Sequence, residues 1–281
     1  MNQTTIGSAV SVSGGGLHTG VPVNLTLRPA PENTGYVFVR VDLDNFEVPA
    51  SVEYISHCSY ATTLMRRGVV LSTCEHLLSA LMGSGVDNCF IDLDNIEVPI
   101  CDGSSEDFLE LIKTAGIVEQ ASPRRTLRVK RKVSVEQDGR KMSIEPYEDL
   151  TIDCAIDFPH PFINKQAYSF TLKNGSFARE IGSARTFGFT HEIEMLRKAN
   201  LALGGSLENA IVLTDDGMLN KTPLRYADEF VRHKILDIIG DIALLGMPLR
   251  GRITAEKSGH SIHAQLMSKL LKDESAWEIV K

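Results

Sequence analysis

The stretch Asp228–Asp241, DEFVRHKILDIIGD, constrains the chain most. Read as a helix, it places His233, Asp237 and Asp241 at i, i+4 and i+8, which keeps them on one face. Val231, Ile235, Leu236, Ile238 and Ile239 are apolar, so much of the helix must be buried. A buried imidazole or carboxylate needs a hydrogen-bond partner, an opposite charge or a metal. The fold must therefore supply such partners inside a core. A His and an Asp one turn apart can both reach a single Zn²⁺. A core histidine satisfied by a carboxylate has the same spacing, and this segment alone does not choose between the two.

Two further segments carry candidate chemistry. In STCEHLLSAL, Ser72–Leu81, Glu75 and His76 fall in the first turn of an expected helix. Ser72 and Glu75 have the spacing of a capping box, in which Glu75 only satisfies backbone N–H groups. Alternatively His76 joins His233 and Asp237 as a third ligand, the number a catalytic zinc takes before its open position. Glu75 is then a carboxylate beside the metal, able to accept a proton from water. Both readings stand at this point. In KSGHSIH, Lys257–His263, Gly259 allows a sharp turn directly before His260. His260 reads as a turn histidine. It also reads as a cationic imidazole, held charged by Asp241, that stabilises an oxyanion and protonates a leaving amine. No role for His263 follows from the sequence.

The chain's 281 residues suffice for one large domain or two smaller ones. The first third alternates as strands and tight turns, with VNLTL at Val23–Leu27 and a β-rich run at Tyr36–Val41. Helical spacing follows from Ser72 to the Gly83–Gly85 break, then a buried strand at Cys89–Leu93 and a second helix from Asp102 to about Thr114. VDLDNFEVPA at Val41–Ala50 reappears as IDLDNIEVPI at Ile91–Ile100, which reads as one strand–turn unit used twice. Glu119–Arg125 has the polar, Pro-containing character of a linker, and strands restart beyond it. Another helical run follows at Tyr226–Leu245. The expectation is an α+β fold of two halves of similar size, with a boundary near residue 124. Gly188–Glu208 reads as an amphipathic helix ended by Gly204-Gly205, with Ile193, Leu196, Ala199 and Leu203 on its apolar side. That side packs on the core or lines a groove for an apolar ligand.

Composition narrows the function classes. A net charge of −7 argues against a nucleic-acid binder, and the basic clusters Arg124-Arg125 and Arg128–Lys132 read as solvated strand faces. Five cysteines, an odd count without CxxC spacing, argue against a disulfide framework and fit a reducing cytoplasm. The first residues lack a signal-peptide pattern, and no stretch reaches the roughly 18 apolar residues of a membrane span.

Six segments together resemble the UDP-3-O-acyl-N-acetylglucosamine deacetylase family: GGGLHTG (Gly14–Gly20), STCEHLLSAL, EVPICDGS (Glu97–Ser104), SARTFGF (Ser183–Phe189), LRYADEFVRHKILDIIGD (Leu224–Asp241) and KSGH (Lys257–His260). They stand in the family's order and run over most of the chain. The resemblance implies two similar domains, 1–122 and 126–281, each pairing a small mixed sheet with two helices and carrying one insert, and a site between them. It implies Zn²⁺ on His76, His233 and Asp237, Glu75 as general base, and His260 as the electrostatic and acid group supported by Asp241. Thr186 donates to the oxyanion, Phe187 contacts the sugar, and Lys234 and Lys257 meet polar or phosphate groups. His18 and His57 are further pocket candidates. The second insert, about 188–208, becomes the passage for the acyl chain. The implied partner is a glycolipid nucleotide substrate, with transient contact to the inner membrane surface and no nucleic acid. Cys74 and Gly15 stand where the family has apolar residues, and neither removes a catalytic group; Cys74 reads as a small packed hydrophobe. Two other classes fit parts of the pattern. One is a zinc amidase indifferent to the UDP and acyl groups; the other is a non-catalytic sugar-nucleotide or lipid-binding module, which would need a broken ligand set.

Overall fold

A computed structural model describes residues 1–281. Alternation builds the strands. In Pro22–Pro29 the residues Val23, Leu25 and Leu27 point inward while their neighbours face out, the period-two pattern of a half-buried strand. This strand sits in a five-stranded mixed sheet in the order Val10–Gly15, Pro22–Pro29, Cys89–Leu93, Tyr36–Arg40, Phe46–Pro49. All pairings are antiparallel except that of Cys89–Leu93 with Tyr36–Arg40. Helices α1 (Glu75–Ser84) and α2 (Glu106–Ala115) belong to this half. Residues 75–82 of α1 are all buried, because Leu77, Leu78, Ala80, Leu81 and Met82 leave it no polar side to offer water. Gly85 ends it in the left-handed region, φ 79°.

The second half repeats the plan on a larger sheet. Leu249–Glu256 is its hub, pairing parallel with Thr126–Val129 and Leu150–Phe158 and antiparallel with Arg140–Glu145. Val133–Gln137, Asn164–Thr171 and Trp277–Val280 complete seven strands. Its helices are the short α3 (Ser176–Glu180), α4 (Thr190–Lys198), α5 (Glu229–Ile242) and α6 (His260–Lys272). The fold is thus α+β with mixed sheets, as expected. Buried α1 and α5 pack against each other, and one apolar core runs through both halves. Outside the large sheets lie a three-stranded hairpin set, Ile55–His57, Thr63–Arg66 and Val69–Leu71, and a parallel pair, Phe187–Phe189 with Ile211–Leu213. No helix is long and apolar enough to cross a membrane.

Three local expectations change. Ile117–Pro123, overlapping the expected linker, is a strand paired with Asn2–Ile6, so the N-terminus ties down the junction. The echoed decapeptides do not fold alike: Val41–Asn45 forms the turn after Tyr36–Arg40, whereas Ile91–Leu93 ends the central strand. The neighbours differ, and pairing decides what propensity leaves open. The helix expected over Gly188–Glu208 is only α4. Asn200 turns left-handed, φ 56°, and the chain beyond docks on the first half through Leu203 N–H to His18 O and Gly204 N–H to Leu17 O. None of α4 is buried; Met195 is 55% and Leu203 49% exposed.

Four of the six basic residues in these clusters form ion pairs: Arg124 with Asp87, Arg128 with Glu278, Arg131 with Asp273 and Lys132 with Glu145. All five cysteines are free thiols.

Candidate active site

Helices α1 and α5 cross where their polar residues meet. His76 comes from the first turn of α1, and His233 and Asp237 from one face of α5; all three are buried. Nε2 of His233 lies 3.3 Å and Nε2 of His76 3.7 Å from the same Asp237 oxygen, Oδ1. The two rings stand edge to face with centroids 5.0 Å apart.

The charges of these groups follow from burial. Burial, with His233 alongside, drives His76 down to about 3, so its imidazole is neutral. Burial likewise lowers His233, whose Nδ1 donates to Ala184 O at 3.0 Å and leaves the Nε2 lone pair facing Asp237. For Asp237 burial favours the acid, but the Lys234 ammonium, 2.8 Å from Oδ2, outweighs it and holds the carboxylate ionised. Two imidazole lone pairs therefore converge on an anionic oxygen. Asp237 Oδ1 and His76 Nδ1 are buried without any hydrogen-bond partner. Left alone, that arrangement costs free energy. A cation removes the conflict. Tetrahedral ligands at about 2.0–2.2 Å hold their donors roughly 3.3–3.6 Å apart, close to the 3.3 and 3.7 Å that separate Asp237 Oδ1 from the two imidazole nitrogens. Two neutral imidazoles and one carboxylate are also the donor types a zinc site uses.

Glu75 is buried beside this cluster. It begins α1, but Ser72 does not cap the helix; its hydroxyl bonds Thr63 instead. The capping-box alternative therefore falls away. Glu75 Oε2 accepts from Thr62 N–H at 3.2 Å, and Oε1 faces His260 Nε2 at 3.5 Å. Burial pushes Glu75 up to about 7, against the pull of His260. His260 opens α6, with Nδ1 donating to Asp241 Oδ2 at 2.7 Å. Burial opposes its charge, yet Asp241 and Glu75 together push it up to about 10. Asp241 in turn is held down to about 2, since the His260 charge and two imidazole hydrogen bonds outweigh its burial. A proton acceptor and a cationic donor thus stand side by side, with unlike pKa values set by their surroundings.

The remaining expected residues are spread more widely. Thr186 is fixed by its backbone, N–H to Gly103 O and O from Ile211 N–H, and its hydroxyl makes no hydrogen bond within the protein. Phe187 packs against Phe230 and reaches the His233 ring at 6.3 Å. Lys234 is spent on Asp237 and lies over the Phe187 ring at 5.3 Å. Lys257, half exposed, pairs with Asp157 at 2.9 Å. His18 accepts Ala202 N–H at Nδ1, which places its proton on Nε2, and Nε2 is buried without a partner. His57 is exposed and shares no hydrogen bond with the cluster. Cys74 is fully buried, its Sγ 3.5 Å from Thr62 O, and burial raises its thiol well above the usual range, so it packs as a hydrophobe.

Several supporting residues have no motif that announces them. Thr62 donates to Asp241 Oδ1 at 2.5 Å, across 179 positions of sequence. Glu229, fully buried in the first turn of α5, accepts from Arg185 N–H, from its guanidinium and from Arg225 N–H. This locks the segment carrying Ala184 and Thr186 to the helix that carries His233. Glu97 accepts the His18 and Thr19 N–H groups and the Thr73 hydroxyl, fixing the glycine-rich loop. A glutamate opening a helix expected to be largely buried was the one signal the sequence offered for Glu229.

Residues 3–272 match the family described as UDP-3-O-acyl N-acetylglycosamine deacetylase. Among similar proteins, the UDP-3-O-acyl-N-acetylglucosamine deacetylase of Coxiella burnetii (strain CbuK_Q154) is 49% identical over 100% of this chain and 93% of its own length. Those of Wolinella succinogenes and Solibacter usitatus are 49% and 46% identical, over 100% and 99% of this chain and 94% of theirs.

Proposed function

The chain belongs to the UDP-3-O-acyl N-acetylglycosamine deacetylase family, and from that premise we propose a residue-level account of how it works. It is a hydrolase that removes the N-acetyl group from a UDP-linked 3-O-acyl glucosamine, giving the free amine and acetate. We place this reaction at the committed step towards lipid A, in the cytoplasm, on a substrate whose acyl chain brings the enzyme into transient contact with the inner membrane surface.

One observation carries the account: the Nε2 atoms of His76 and His233 and the unpartnered Oδ1 of Asp237 converge within a buried space. These three residues hold Zn²⁺. Zinc supplies a Lewis acid that polarises the acetyl carbonyl and makes water a better nucleophile near neutral pH. Glu75 accepts a proton from the attacking water. Thr186, whose hydroxyl is uncommitted, donates to the oxygen on which negative charge develops. His260 holds its proton on Nε2 and delivers it to the nitrogen as the C–N bond breaks, with Asp241 keeping the imidazole charged. A C–O bond to the water oxygen forms and the C–N bond breaks; Glu75 gains the proton water loses, His260 gives up the proton the amine takes, and return of the proton from Glu75 to His260, 3.5 Å away, restores both.

Substrate recognition follows from the surroundings. We read 1–122 and 126–281 as two domains with the site at their junction. Phe187 offers a ring edge to the sugar, and His18 Nε2–H offers a donor. Lys234 and Lys257 leave Asp237 and Asp157 in part to meet phosphate or sugar oxygens, and His57 reaches the same polar end. The 188–208 segment, with Met195 and Leu203 uncovered, lines the acyl passage. Each buried CH₂ adds roughly 0.8 kcal/mol, so the chain dominates affinity.

Two variants test the assignment. Glu75→Gln should lose about 10²–10⁴ in kcat while zinc content stays stoichiometric. His233→Ala should lose zinc. Full turnover in the first, or unchanged zinc in the second, contradicts the roles given.

A further inference from the structure

Asp241 has more donors than its support of His260 requires. Its Oδ1 accepts from Thr62 Oγ1 at 2.5 Å, and its Oδ2 accepts from two imidazoles, His260 Nδ1 at 2.7 Å and His263 Nδ1 at 2.6 Å. His260 and His263 stand one turn apart on α6, edge to face, with centroids 5.9 Å apart. His263 is only 1% exposed, and its second nitrogen, Nε2, lies 3.0 Å from Ser258 Oγ.

Two adjacent imidazolium ions on one buried carboxylate oxygen would repel each other strongly. One ring must be neutral. His260 faces a second carboxylate, Glu75, at 3.5 Å, whereas His263 faces a hydroxyl. The positive charge therefore resides on His260. His263 is the neutral partner, protonated on Nδ1, with Nε2 accepting the Ser258 O–H. Both of its nitrogens are satisfied in that single tautomer, and burial acts in the same direction.

We propose that His263 is a positioning residue: fixed by Ser258, it shares Asp241 Oδ2 with His260 and, with Thr62, pins the carboxylate so that the His260 Nε2 points at Glu75 and the reacting nitrogen. A carboxylate on α5 held by one donor can rotate about its side chain. Three donors from two elements, the loop at Thr62 and two positions on α6, remove that freedom. The role rests on the acid assignment of His260 given above. Holding a proton donor within a few tenths of an ångström of its working geometry is what such supporting hydrogen bonds achieve.

The experiment is made on the zinc-loaded protein. Nitrogen NMR of ¹⁵N-histidine-labelled enzyme at neutral pH should find His263 neutral with its proton on Nδ1, and His260 protonated on both nitrogens. A cationic His263, or one protonated on Nε2, overturns the proposal whatever the variants do. His263→Phe fills the space without a donor and should lower kcat by about tenfold or more, part of the roughly 10²–10⁴ that a positioned proton donor supplies, with KM changed little. His263→Asn places an amide N–H where Nδ1 stood and should restore most of that loss. Wild-type kcat in His263→Phe, or equal impairment of two folded variants, overturns the positioning role. Activity surviving His260→Ala removes instead the acid assignment on which it rests, so the two failures are told apart.

Discussion

At His260 two carboxylates oppose burial, and the balance can be tilted from one side. Asp241→Asn keeps the shape and removes the nearer charge. Burial, which disfavours the imidazolium, is then opposed only by Glu75, so His260 loses its proton at lower pH. A reaction that needs protonated His260 should show its high-pH limb move down by more than about one unit, and kcat fall even at neutral pH. The pH profile of kcat checks this, and an unmoved limb would sink it. The same pair contributes to stability within a window. His260, pushed up to about 10, stabilises fully below its ordinary pKa of about 6.5 and ceases to as pH rises through about 10. Asp241, held down to about 2, stabilises fully above an ordinary carboxylate pKa of about 4 and ceases to as pH falls through about 2. Both contributions are complete between about pH 4 and 6.5, and Asp241→Asn should flatten the acid side of the stability curve.

At the scale of elements, the site depends on how closely α1 and α5 approach. A Cβ on Gly240 would lie 2.0 Å from the Glu75 carbonyl oxygen and 2.7 Å from its carbon, both main-chain atoms that cannot swing aside. In an unconstrained helix Gly→Ala gains roughly 1 kcal/mol. Here Gly240→Ala should destabilise by about 1–3 kcal/mol, as overpacked cores do, and should weaken zinc binding because His76 leaves with its helix. Chemical denaturation and metal titration read the two effects; a stabilised variant with intact affinity would refute the close-crossing account. The polar face of α5 was legible because its spacing and its apolar flanks are local facts. So were Glu75 and His76, although whether they capped a helix or faced the metal site could not be read without knowing what lay opposite. Thr62, Ala184 and Gly240 carry no local mark, since their roles are contacts across the fold. The α4 region misled for a related reason. Its 3.6-residue periodicity extends past Asn200, but the chain turns there to hydrogen-bond the His18 loop, a partner 184 positions away in sequence that periodicity does not encode.

For the whole molecule, the proposed metal ligands join two halves that share a core but are built on separate sheets. His76 comes from the half with the five-stranded sheet, His233 and Asp237 from the half with the seven-stranded one. A cation held by all three binds the native arrangement and not the unfolded chain, so it stabilises by mass action: about 4 kcal/mol at a free concentration a thousand times the dissociation constant. For a chain of this size that corresponds to a rise in Tm of roughly 7 °C. Chelation should therefore lower Tm by that order, and adding back zinc should restore it. The decisive comparison is between ligands of the two halves. If the metal ties them together, His76→Ala and Asp237→Ala should each abolish the zinc-dependent shift in differential scanning calorimetry, though they lie on different helices. A zinc shift that survives His76→Ala but not Asp237→Ala would mean the ion is held by α5 alone, and that the approach of the two halves owes nothing to it.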